Sequence, residues 1–585
     1  MVVDVFLCAF LGLAVLASPS APDPASRSKL HALLDEAWEF ELREDPLFAT
    51  SVGDHRFDDR LPAVRVADQA RRAGERRKLL ERLRAIDPAG LDDTDRESQA
   101  LQRVKLEDAI REFELHHYRF PINADSGFHM ELAQLVRQMP FDTTGDYEKY
   151  LARLRAIPEY VQQNVGLLRE GLQNGWTLPK AALAGYEKTI EAHVVSDPRK
   201  SRFFAPFESF PAGVPEGDRA RLTAAAEKAI RDDVVPAYRA FLAFMTRDYM
   251  PGARETVGAG AMPGGPEYYA YLVRHFTTLD RTPEDIYALG LQEVRRIRGE
   301  MEGVIRETGF TGSFADFLKF LRTDPRFYAK TPDELLKQAS WIAKRVDGKL
   351  PSLFGRLPRQ PYGVEPVPAE IAPKYTGGRY VGAPPGGKKA GTYWVNTYAL
   401  ESRPLYVLES LTLHEAVPGH HLQGALSAEL TDLPAFRRFL YVDAFGEGWG
   451  LYSERLGLEM GLYTDPYSNF GRLTYEMWRA CRLVVDTGLH AKGWTRQQAI
   501  DYLAGNTALS VHECTTETDR YISWPGQALA YKMGELELRR LRRRAEEALG
   551  GRFDVREFHD QILSGGTVTL PILEARIDRY IRSKR

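Results

Sequence analysis

Cysteine is scarce in this chain: only Cys8, Cys481 and Cys514 occur among 585 residues. With no Cys-x-x-Cys pair, neither a zinc ribbon nor a dithiol redox motif is available. No Gly-x-Ser-x-Gly occurs, which excludes the usual nucleophile elbow of serine hydrolases. An excess of one charge is missing too. Lys and Arg number 78 against 81 Asp and Glu, a net charge of −3, so there is no basic footprint for nucleic acid. The long apolar run is confined to the N-terminus, where 5–17 is followed by Ser-Pro-Ser-Ala. It is short for a membrane span and ends in small residues, as a cleaved signal does. It predicts a signal peptide over 1–21, a periplasmic or secreted protein and no stable membrane insertion afterwards. Cys8 lacks small residues before it, which argues against a lipid anchor there. The pair Cys481 and Cys514 reads equally as a bridge or as two separate buried thiols.

The most informative segment is 411–423, which sets His414, Glu415, His420 and His421 within two helical turns. A His followed by Glu, with further His downstream, points to a gluzincin-type zinc site. There the histidines hold the metal and the Glu is the base for the attacking water. The spacing departs from His-Glu-x-x-His. His420 stands at i+6, about 120° off the His414 face, and His421 at i+7, about 10 Å along the axis. Pro418 and Gly419 predict a break that absorbs the two extra residues. That break brings His420 to the ligand position, with His421 as the alternative.

A third ligand is expected because a catalytic zinc takes three protein groups. Glu447, between glycines and about 25 residues after the histidines, is the candidate. Asp443 and Glu454 would then orient an imidazole N–H. An oxyanion donor is also needed, and the aromatic segment 520–531 is the best source.

The segments His414–Gln423, Glu447–Gly457, Arg482–Thr495 and Asp519–Gly534 resemble those of the bacterial family DUF885. Its members look like zinc metallopeptidases distantly related to the oligopeptidase and angiotensin-converting-enzyme-like clans. The likeness spans nearly all of the mature chain, from Ser51–Asp54 to Phe558–Leu570. It implies a mainly α, two-lobed helical shell around a deep channel with zinc on its floor, within a single catalytic domain over 22–585. That domain would hold its metal site in 405–460 and a helical C-terminal part in 470–585. The resemblance transfers His414, His420 and Glu447 to the metal and Glu415 to the base. In related clans a late Tyr faces the zinc, which makes Tyr531 the first oxyanion candidate and Tyr521 the second. His490 is a further polar candidate, and Arg520 and Gln527 are candidates for a substrate carboxylate.

Helical periodicity dominates elsewhere. It predicts helices over 28–43, 64–86, 94–114, 146–174, 179–196, 218–250, 282–308, 313–321 and 332–350. The interval 357–397 is rich in Pro and Gly and contains the β-favouring 391–398, which predicts a small β element just before the metal helix. An edge strand over 392–397 would pair with an extended peptide, with Asn396 and Tyr398 in contact. The segment 382–389 falls short of a phosphate-binding loop because Lys389 replaces the required Ser or Thr, and it reads as a mobile loop at the channel mouth. His116 and His117 read as packing residues. The expectation is a zinc hydrolase of short peptides. A hydrolase of a non-peptide amide or ester, and a non-catalytic peptide-binding protein, are the alternatives.

Overall fold

The computed structural model describes residues 23–585 apart from 125, 370 and 384–389. The signal-peptide reading at 1–21 and most of the 382–389 loop lie outside the described residues. The fold is mainly α, with one three-stranded sheet.

Helix starts follow local chemistry. Thr143, Thr282, Ser313 and Thr495 each close a capping box with an acid or amide three residues on, satisfying N–H groups that the helix leaves open. Proline occupies the first turn of Pro24–Glu44, Pro283–Glu307, Pro332–Asp347 and Pro466–Ala491, where its missing N–H costs nothing. The predicted helix over 179–196 is not continuous. Short turns at Lys180–Leu183 and Glu187–Glu191 flank Gly185, whose φ of 77° no helix continues through. Gly265–Thr277 is a helix that the neighbouring Pro and Gly residues conceal from periodicity.

Apolar faces gather into two main cores and a smaller third. Thr144–Asn174 and the interrupted helix 216–252 build one around Leu154, Tyr238 and Phe241. The larger contains Pro283–Glu307, Pro466–Ala491 and Ala530–Leu549. Nearly every residue of Pro466–Ala491 is buried, charged ones included. Its Glu476 meets the fully buried Lys532 at 3.0 Å, and Lys532 also pairs with Glu535 at 2.9 Å and Glu293 at 3.2 Å. Cys481 and Cys514 are both buried and free.

The sheet has the order β1–β3–β2, with β1 at Tyr362–Pro366, β2 at Gly378–Val381 and β3 at Gly391–Val395. β3 pairs with β1 in parallel and with β2 antiparallel. This corrects the expected substrate strand: 391–395 is central and bonded along both edges, so it has no edge to offer. β2 is an edge strand and lies on the side of the Leu408–Glu415 helix, to which its Tyr380 N–H is bonded. No helix among the described residues is long and apolar enough to cross a membrane.

Candidate metal centre

The helix Leu408–Glu415 ends at Glu415, and a second helix starts at His420. The turn between them includes a cis Val417–Pro418 peptide. It is tied down by Gly419 N–H to Leu413 O (3.0 Å), by His421 N–H to Ala416 O (3.1 Å), and by the Trp449 indole to Pro418 O (2.8 Å). The break turns His420 back towards His414, and the two rings stand edge to face with centroids 4.8 Å apart.

Glu447 comes from the helix Asp443–Glu459. Its Oε2 lies 3.4 Å from His414 Nε2 and 3.4 Å from His420 Nε2. That oxygen is buried and makes no hydrogen bond. Tetrahedral bonds of about 2.1 Å hold ligand atoms about 3.4 Å apart. The spacing, the orphaned oxygen and the two-nitrogen, one-oxygen donor set therefore fit a zinc ion held by His414, His420 and Glu447.

The surroundings aim these donors. His414 Nδ1–H donates to Glu454 Oε1 at 2.8 Å, which leaves Nε2 as the free nitrogen facing Glu447. Burial works against a charged His414, but the Glu447 and Glu454 carboxylates lift its pKa to about 9. Burial likewise opposes ionisation of Glu447, yet His414 and His420 hold it well below the usual carboxylate range. Gly450 packs under the His414 ring, where a Cβ would fall 2.6 Å from Cε1. Only glycine allows that approach.

His421 faces the other way. Its Nε2–H donates to the Gln360 carbonyl at 3.1 Å and its Nδ1 accepts from the Tyr380 hydroxyl at 3.1 Å. Glu415 sits beside the cluster, and its Oε2 accepts from the Tyr380 N–H of β2 at 2.8 Å.

Of the aromatic candidates, Tyr531 reaches the cluster. Its ring lies parallel to His414 at 6.4 Å, and its hydroxyl accepts from Arg520 at 3.3 Å. Arg482 stacks over the same ring at 4.3 Å. Tyr521 does not reach, because its hydroxyl is spent on the Trp478 indole and the Arg482 guanidinium, both at 2.8 Å. Nor does His490, which accepts from Ala259 N–H and donates to Tyr521 O, with burial pushing its pKa down to about 3.

The expected substrate contacts are also redistributed. Asn396 is fully buried and donates to the carbonyls of Ala372, Tyr375 and Thr376, so it shapes a turn instead of meeting substrate. Tyr398 is exposed, and its N–H is bound to Asn396. Gln527 bridges Arg520 and Asp443, its Oε1 accepting from the first and its Nε2 donating to the second. Two residues that sequence reading missed stand near the cluster. Tyr441, 52% exposed, sets its hydroxyl against Gly446 and among the charges of Glu447, Asp443 and Glu415. Arg379 of β2 is exposed and neighbours Tyr375, Glu415, Tyr531 and Arg520. No local pattern marks either. A second group, Asp108, Glu112 and His275, is accounted for by an ion pair: His275 meets Asp108 at 2.7 Å, and Tyr271 caps the same carboxylate.

A mainly helical fold with a His–His–Glu cluster at a helix break, an acid beside it and an edge strand alongside defines the class of this protein. Residues 46–577 match the family DUF885, described as bacterial protein of unknown function, and the chain belongs to that family. Among solved structures it is similar to a candidate lipoprotein from Colwellia psychrerythraea, with 28% identity and a TM-score of 0.89 over 96% of this chain and 100% of that one. A candidate lipoprotein of unknown function from Shewanella oneidensis shares the fold at 19% identity and TM-score 0.70, over 94% of this chain and 99% of that one. No curated protein matches.

Proposed function

We propose that this protein is a zinc-dependent peptidase acting on short peptides outside the cytoplasm. The observation that carries the reading is the orphaned Glu447 Oε2, equidistant from His414 Nε2 and His420 Nε2, with Glu415 at their side. Zinc, when bound, supplies a water of lowered pKa and polarises the scissile carbonyl.

The protein's own groups do the rest. Glu415 takes the proton of the attacking water and passes it to the leaving amine. The Tyr380 N–H fixes one oxygen of that carboxylate and leaves the other free for the proton. Glu454 holds the His414 ring in one tautomer. Tyr531, braced by Arg520 and Arg482, offers a hydroxyl to the developing oxyanion, and Tyr441 stands on the other flank. β2 is an edge strand whose outward groups other than the Tyr380 N–H can pair with an extended backbone, and Arg379 on that strand suits a substrate carboxylate. Export is supported by the apolar stretch 5–17 and by the similarity to the Colwellia candidate lipoprotein.

The test is metal analysis of the purified protein together with digestion of a peptide library by wild type and Glu415→Gln. One zinc per chain is expected in both. Glu415→Gln should lose roughly 10²–10⁴-fold in kcat. Full activity in a zinc-loaded Glu415→Gln protein would falsify the mechanism, and zinc without cleavage of any peptide would redirect the search to other amides or esters.

A further inference from the structure

A cavity of about 250 Å³ lies between the end of β3, the Leu408–Glu415 helix, the Pro466–Ala491 helix and the start of Val511–Ser523. Drug-sized ligand sites run to about 300–1,000 Å³, so this volume suits one long side chain better than a whole ligand. Leu411 forms part of the wall and precedes His414 by three residues, about 4.5 Å along the helix axis. Glu513, Glu517 and Arg520 share a face of Val511–Ser523, leading from the cavity towards Tyr531.

The polar groups in the wall are unevenly satisfied. Thr474 is completely buried, lines the cavity, and its Oγ1 has no hydrogen-bond partner. Glu513 uses its backbone N–H on the Ser510 cap, while its carboxylate has no hydrogen bond or ion pair among the described residues. Burial foremost raises its pKa to about 7, against the pull of Arg403, Arg479 and Arg482, none of which bonds to the carboxylate. The two arginines in the wall are already engaged. Arg322 donates to the carbonyls of Leu509, Ala504 and Thr507, and Arg403 to those of Tyr398 and Tyr375. Between the polar groups the wall is apolar, with Val407, Leu408 and Leu411 on one side. An apolar sleeve ending in an unpaired carboxylate and an unpaired hydroxyl matches a side chain with an aliphatic stem and a cationic head.

We propose that this cavity is a specificity pocket that selects a lysine or arginine of the substrate close to the scissile bond, with Glu513 and Thr474 receiving the cationic head. The proposal rests on the peptidase reading above. The experiment compares peptides identical except at one position, scanned along the chain, that carries lysine, norleucine or glutamate. At one position wild type should favour lysine over norleucine by roughly tenfold or more in kcat/KM, the range of a charge-assisted hydrogen bond. Glu513→Gln should bring that ratio to within about twofold, and Glu513→Lys should turn the preference towards glutamate. Cleavage indifferent to lysine at every position, or a lysine preference that survives both substitutions, overturns the pocket assignment. If no peptide is cleaved, the peptidase reading falls and the pocket is judged separately, by calorimetry with Nα-acetyl-lysine amide. Saturable binding lost in Glu513→Gln upholds it, and no binding overturns it.

Discussion

His420 and His421 are adjacent in sequence and opposite in chemistry. A neutral imidazole has one donor and one acceptor nitrogen. At His421 the donor is fixed by a carbonyl and the acceptor by a tyrosine hydroxyl, so no lone pair is left for a cation. Burial pushes its pKa down to about 4, in keeping with a permanently neutral ring. His420 keeps Nε2 directed at Glu447. His420→Ala should therefore strip most of the zinc after dialysis, whereas His421→Ala should keep most of it. The reverse pattern would mean that the ligand has been assigned to the wrong histidine.

At the scale of elements, the centre depends on how closely two helices approach. Asp443–Glu459 carries Glu447 and Ala530–Leu549 carries Tyr531. They cross at Gly448 and Gly534, where a Cβ on Gly534 would fall 1.9 Å from Ala444 O and 2.7 Å from Gly448 Cα. Backbone cannot yield as a flexible side chain can, so Gly534→Ala must push the helices apart. Overpacking of this kind costs about 1–3 kcal/mol. The variant should melt earlier than wild type in the metal-free state and also retain less zinc, since Glu447 moves with its helix. Gly299→Ala is the control: nothing lies within 4 Å of its Cβ, and alanine at a helix interior should be neutral or mildly stabilising. If both variants melt alike, the close crossing is not what positions Glu447.

At the scale of the molecule, the candidate site lies inside the helical body. The side chains of His414, His420 and Glu447 are only 3%, 16% and 14% exposed, and Tyr531 is 7% exposed. Under the proposed peptidase reading, a scissile carbonyl has to meet the cluster, Glu415 and Tyr531 together, which a bond in the surface of a folded protein cannot do. Over a length series, unstructured short peptides should be cleaved efficiently and a native folded protein should survive. Equal cleavage of the folded protein would show an open site.

Much of this was already legible along the chain. Caps and apolar periodicity predict most helices because each helix closes its own hydrogen bonds. The His-Glu pair, the Pro-Gly break and the glycine-flanked Glu447 predict a metal-binding constellation from local spacing alone. What only the tertiary structure decided depends on partners distant in sequence. Gln360 and Tyr380 turn His421 away, and β1 and β2 close both edges of β3, leaving β2 to face Glu415. Ala259 and Trp478 occupy the polar groups of His490 and Tyr521, whereas Arg520 steadies Tyr531 beside His414. Each of these outcomes is a hydrogen bond or a close approach between groups on different elements, from about ten to hundreds of residues apart, and no pattern within a helix or strand encodes them.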